Sequence, residues 1–241
     1  MKGILISSAA TLTMTLALFS SPFAREASGS PPETAQHAAR PGDLSGVWMP
    51  VQGATTFSLG EPPLQPWAAA KYRSARPGNG PHAGSESQDP ILSCDPPGIP
   101  RLLLLPFPMQ IIQIPGQVMM LFEYDHFIRQ IFFDRRTHPG DLDPTWMGDS
   151  VGHWEGNTLV VDTVGLNDKT WLDQVGHPHS DALHVVERFH RVDHDTLKDD
   201  LTIDDPKAYT QSWKGQQTFK LKPAWHLMEY VCEDTLNRSN P

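Results

Sequence analysis

The sequence predicts an all-β fold, an antiparallel meander closed into a lipocalin-like barrel or a strongly curved sheet, preceded by a loop-rich N-terminal segment. Three observations carry this. Beyond Pro108 the chain breaks into short runs rich in β-branched and aromatic residues, separated by turn signals. No helical pattern lies between those runs, so the βαβ rhythm of a parallel sheet is missing. Closure would also hide the sheet edges that an open meander leaves unpaired.

Taken in order, Met1 and Lys2 are followed by an uncharged stretch to Phe19 and by Ser-Ser-Pro-Phe-Ala before Arg25. This predicts a secretory signal peptide over residues 1–24 and a periplasmic or secreted product, with an uncleaved anchor as the alternative. Residues 25–42 are polar and proline-bearing, the composition of a disordered linker. A single domain is expected over 43–241, enough chain for a sizeable core. Within it, 43–107 forms a loop-rich covering segment. Asp43 to Trp48 begins it as a short strand, and 66–73 is a short helix with Pro66 in its first turn. Residues 76–89 form a surface loop, and the prolines of 94–101 keep that piece out of a sheet interior.

The strands then follow as hairpins. Residues 109–114 and 117–124 flank Pro115-Gly116, and Asp125-His126 leads tightly into 127–134. Residues 151–154 and 158–164 flank Glu155-Gly156-Asn157. Residues 183–192 and 196–203 flank Asp193-His194-Asp195. The last pair, 213–221 and 225–232, flanks a Lys222-Pro223 turn.

The formal net charge is −9, which disfavours nucleic acid and anionic membranes as partners, since both select clustered Lys and Arg. No long apolar run follows the leader, so no stable membrane insertion is expected after its cleavage. The oligomeric state is left open. Only Cys94 and Cys232 are present. In an oxidising compartment they read first as one disulfide, contributing about 3–5 kcal/mol in the chain-entropy model; two buried thiols are the alternative.

Chemistry-bearing residues concentrate between Trp146 and Arg191. The stretch from Asn167 to His184 is the longest connection between two strong strands and holds Trp171, Asp173, His177, His179 and Asp181. Loops at a barrel mouth commonly grip ligands. His179 and His184 are the candidate acid–base groups, with Asp173 as the orienting carboxylate. Trp171 and Arg188 are candidate substrate contacts, the second by bidentate pairing. Glu123, Arg129 and Asp162 stand on otherwise apolar strand faces and join them as candidate lining of a polar pocket, structural ion pairs being the bland alternative. His177-Pro-His179, with His184 and Glu187, has the ligand types of a zinc or iron site. No cofactor is otherwise expected, and a divalent metal stays the alternative to metal-free histidines. No GxSxG, P-loop, GxGxxG, HExxH or EF-hand pattern occurs.

The run GHWEGNTLVVDT at 152–163, with Glu187-Arg188-Phe189, TIDDPKAYT at 202–210 and EYVC at 229–232, resembles an uncharacterised family of exported bacterial β-rich proteins. The resemblance spans nearly all of the chain beyond Asp43. It implies a secreted β-rich domain and no particular activity. Asn157 stands where a typical member has Asp, a turn-compatible change.

Two functions follow as expectations. One is an exported lyase, isomerase or hydrolase using the His and Asp groups on a small ring-containing substrate. The other is a lipocalin-like carrier of an apolar or aromatic ligand, with a cavity lined by residues such as Met120, Phe122, Phe133 and Val161. A third reading, an envelope interaction module, would use 43–107 as its contact surface.

Overall fold

The computed structural model describes residues 42–133 and 137–239. The expected leader, and nearly all of the expected linker, lie outside them. Among the described residues nine strands close into one barrel in chain order. They are β1 (Gly46–Pro50), β2 (Met109–Ile114), β3 (Gln117–Phe122), β4 (Ile128–Phe132), β5 (Asp149–Glu155), β6 (Thr158–Val164), β7 (His184–Asp193), β8 (Thr196–Asp204) and β9 (Trp213–Leu221). Two helices, α1 (Pro66–Ser74) and α2 (Cys232–Ser239), lie outside the sheet. No helix among the described residues is long and apolar enough to cross a membrane.

Every neighbouring pair is antiparallel except β4 and β5, which run parallel with Ile131 opposite Ser150. Parity requires this. Nine strictly alternating strands would bring β1 and β9 together parallel, whereas one parallel step restores the antiparallel closure seen at Trp48 and Leu221. A parallel step cannot be made by a tight turn, and the connection here takes residues 133–148. The remaining hairpins follow their turn chemistry. Asp125 and His126 both have positive φ, 48° and 53°, the combination that a two-residue type I′ connection demands.

The expected strand at 225–232 is not formed. β9 is already paired on one side with β8 and on the other with β1, so the chain leaving it finds no free edge. Residues 222–231 instead cross to the β3–β4 turn as an arm, where Met228 N donates to Glu123 Oε2 at 2.9 Å and Cys232 N donates to Asp125 Oδ1 at 2.6 Å. Cys232 then forms a disulfide with Cys94, 138 residues away in sequence. α2 starts at Cys232 itself, with Glu233 and Asp234 in its first turn, where carboxylates suit the helix dipole.

The barrel is filled by its own side chains. Trp48, Met120, Ile131, Val161 and Phe189 are each completely buried and belong to one core cluster. Phe122 joins that core and Phe133 packs against it. Met120, Phe122 and Val161, expected to line a ligand cavity, are therefore packing residues; each large apolar side chain so buried contributes about 1.5–3 kcal/mol. The covering segment completes the core. Phe57 packs on Gly215 of β9, where an added Cβ would come within 2.9 Å of the Phe57 Cβ. Leu102, Leu103, Leu104 and Leu105 are buried in the same cluster, and Gln217 Nε2 donates to the Leu103 carbonyl at 3.3 Å. This intramolecular role is what a segment free for envelope contacts would lack.

A hydrogen-bonded charge pair lies within the core. Arg129 is paired with Glu187 through two guanidinium nitrogens, and its other contacts are Ser150 Oγ at 3.1 Å and Thr163 Oγ1 at 2.8 Å. Removing one partner of such a buried pair typically costs about 3–5 kcal/mol, because the other charge is stranded. Asp199 lies nearby, fully buried, with Oδ1 accepting from Arg188 N at 3.2 Å and no partner for Oδ2 among the described residues. Burial first, and then the Glu187 charge, hold its carboxyl well above the usual carboxylate range. A carboxyl raised on folding binds more protons folded than unfolded, so its stabilising contribution is full below its unfolded value and is lost as pH rises through its folded value. Asp199→Asn keeps the acceptor and removes this titration. The expected result is a thermal midpoint about 2–4 °C higher at neutral pH, with no gain near pH 4, roughly the unfolded carboxyl value. Scanning calorimetry at both pH values checks this, and equal shifts at the two would sink the assignment.

Candidate functional site

With the lumen packed, the cavity that matters lies on the barrel's flank, between the covering segment and the C-terminal arm. It has a volume of about 440 Å3, within the range of small-molecule sites. Leu105, Phe107, Tyr124, Tyr230 and Leu236 give it apolar and aromatic walls. The rings are mutually supported: Phe107 and Tyr230 are 4.4 Å apart between centroids, and Tyr124 and Tyr230 stack at 5.3 Å. Burial, then the Asp125 charge, push the Tyr124 phenol above its ordinary value, so it stays protonated. Leu92 and Leu236 are exposed at the rim.

The polar part of the wall is an ion pair. Arg101, fully buried, donates through Nη2 to Asp89, which also caps the turn Pro90–Ser93 by accepting from Ile91 N at 3.2 Å. Arg101 sits over the Trp171 ring, its Cζ 5.8 Å from the centroid. Its Nε and Nη1 have no hydrogen-bond partner among the described residues. Native interiors rarely leave such donors unmet.

The connection between β6 and β7 is not an open mouth. Trp171, Asp173, His177 and His179 are all buried there, closed over by the covering segment. Asp173 is the organiser of this loop. Its Oδ1 accepts from Val175 N and His177 N, and its Oδ2 accepts from Thr56 Oγ1 at 2.6 Å and meets His177 Nδ1 at 2.5 Å. The His177 ring stacks on Tyr72 of α1 at 4.4 Å. The candidate orienting carboxylate therefore serves His177, while His179 has its Nδ1 3.1 Å from the Ser180 carbonyl and its Nε2 buried without a partner among the described residues. Of the predicted substrate contacts, Trp171 is linked to the flank cavity through Arg101.

The other predicted residues are dispersed by strand alternation. Arg129 and Glu187 face inward as the buried pair. Glu123 anchors the arm. Arg188 faces outward and pairs with Glu155 at 2.6 Å, both well exposed. Asp162 and His184 also face outward, forming a surface chain: His184 Nε2 lies 2.8 Å from Asp162 Oδ1, His138 Nε2 lies 3.0 Å from the same oxygen, and His138 Nδ1 lies 2.8 Å from Asp149. His177, His179, His184 and Glu187 thus do not converge as one metal-ligand set. Among the described residues no group of three or more His, Cys, Asp or Glu is arranged to hold a metal ion.

No protein-family model, curated protein or solved structure matches the chain. The flank cavity draws on residues that the strand pattern did not single out, namely Asp89, Arg101, Phe107 and Tyr230. One signal was available in Arg101-Leu-Leu-Leu-Leu105, where a lone cation opens an apolar run outside any strand.

Burial holds the His179 imidazole below its ordinary value. A base depressed on folding binds fewer protons folded than unfolded, so stability falls as pH drops through the unfolded value of about 6.5 and keeps falling towards the folded one. His179→Gln removes that slope. Chemical denaturation of the wild type and variant between pH 7 and pH 5 is expected to show a shallower acid decline in the variant, and parallel curves would overturn the assignment.

Proposed function

We propose that the protein is an exported carrier that holds a small, largely apolar, ring-containing molecule in the flank cavity. The observation that supports this reading is the cavity itself, an aromatic-walled recess with one buried ion pair in its wall. Its placement differs from that of a lipocalin-like site, because the ligand sits beside the barrel instead of within it. The disulfide suits an oxidising compartment, in keeping with the secretory leader read from the sequence and with the resemblance to exported bacterial proteins.

The reading is tested with N-phenyl-1-naphthylamine, an uncharged aromatic dye whose fluorescence rises on leaving water. Saturable binding to the wild type is expected. Leu236→Trp, a substitution at the exposed rim, should fill the recess and weaken binding at least about tenfold, the loss of roughly 1.4 kcal/mol. An unchanged affinity in a folded variant would place the dye elsewhere and remove the support.

A second reading, acid–base chemistry by a lyase, isomerase or hydrolase, is favoured by one arrangement: Asp173 fixes His177 through Nδ1, the orientation that frees Nε2 for proton transfer. Reaction there requires α1, which carries Tyr72, to uncover the ring. The compound retained by protein purified from its own host, identified by native mass spectrometry, provides the assay. Its conversion by the wild type and survival with folded His177→Gln would establish this reading, whereas its return unaltered from the wild type would eliminate it.

A further inference from the structure

We infer that the Cys94–Cys232 disulfide is the latch of the flank cavity, and that its reduction by a dithiol opens the recess and releases the molecule held there. This rests on the reading of that cavity as a ligand site. The two sulfurs join the two halves of its wall. Asp89, Ile91 and Leu92 belong to the turn that runs into Cys94, whereas Tyr230, Thr235 and Leu236 flank Cys232, which itself lines the recess. The two cysteines are 138 residues apart in sequence, so without the bond the halves meet only through non-covalent contacts.

Each half is secured to a different part of the molecule. On one side Met228, Tyr230 and Cys232 bond to the β3–β4 turn, through Met228 N on Glu123 Oε2, Asp125 N on the Tyr230 carbonyl and Cys232 N on Asp125 Oδ1. On the other, Asp89 accepts from Ile91 N and pairs with Arg101. Across the seam the Cys232 sulfur lies 3.7 Å from the Ile91 carbonyl oxygen, a packing contact, since a disulfide sulfur has no hydrogen to donate. α2 has eight residues, too few for a helix to hold itself, and the disulfide pins the first of them. Cys94 is only partly buried and follows Leu92 and Ser93, both exposed, whereas Cys232 is buried. On reduction the Cys94–Cys232 bond breaks, a disulfide forms within the dithiol, and two electrons and two protons pass to the two cysteines. The recess loses its preorganisation, and a ligand then has to order both halves as it binds. The barrel keeps its closure, because none of its nine strands carries either cysteine.

Dithiothreitol serves as the dithiol, and N-phenyl-1-naphthylamine again reports on the recess. Cys94 and Cys232 are the chain's only cysteines, so thiol labelling reads the reduction directly. Reduction is expected to weaken dye binding at least about tenfold, and reoxidation to restore it. The paired variant Cys94→Ser with Cys232→Ser should bind weakly whether or not the dithiol is present. Amide hydrogen exchange should quicken in residues 89–94 and 230–239 and stay slow in the strands. Full dye affinity in the reduced protein would overturn the latch while leaving the cavity as a ligand site. Exchange that quickens throughout the strands would overturn it too, because the bond would then be holding the whole barrel. Failure of the oxidised protein to bind the dye would remove the ligand site itself, and the latch with it.

Discussion

Closure of nine strands on themselves is the constraint on which the rest of this molecule depends. An odd number of strands cannot alternate all the way round a barrel, so one pair must be parallel, and here it is β4 with β5. That single step consumes residues 133–148 as a crossover and places His138 against Asp149 and Asp162 on the outer wall. It also leaves β9 sealed between β8 and β1. The chain beyond Leu221 is thereby excluded from the sheet and must find its stabilisation elsewhere, on the β3–β4 turn and at Cys94.

Filling the lumen has a second consequence. Inward positions are occupied by large apolar side chains and by the Arg129–Glu187 pair, while Leu102 to Leu105 and Phe57 complete the core from outside the sheet. Among the described residues these side chains fill the lumen, unlike barrels whose lumen is the binding site. The recess arises where irregular segments meet each other and the sheet at one side. Irregular chain tolerates the short helical turns and caps that such a recess needs, whereas alternating strands do not.

The sequence made the barrel legible because its signal is local. Alternation within 117–124 and 158–164, together with turn residues such as Pro115-Gly116 and Gly156-Asn157, specifies hairpins without knowledge of the rest of the chain. The terminal strand was misread for the same reason: 225–232 carries an acceptable local pattern, and only the global fact of an already paired β9 forbids it. The site was less legible still. Alternation could place Glu187 and Arg188 on opposite faces, yet could not say which face was inside, so Glu187 became a candidate ligand and Arg188 a candidate clamp. Asp89, Arg101, Tyr124 and Tyr230 come from four separate stretches and share no motif. What joins them is the long disulfide and the path of the arm, neither of which leaves a periodic trace.

The path of the arm bears on how quickly anything could enter or leave the recess. Residues 222–231 form a strap held at its start by Lys222 N on the Val47 carbonyl at 2.8 Å and at its end by the covalent link to Cys94. Between these fixed points it is secured by few hydrogen bonds, among them the Glu123 contact and the Asp125–Tyr230 backbone bond at 3.1 Å. Such a strap can lift without disturbing any strand, at the cost of its own contacts alone. Exchange of the molecule proposed to occupy the recess would then depend on the strap's own contacts, the packing of Tyr230 on Phe107 and Tyr124 included, more than on the strength of the barrel.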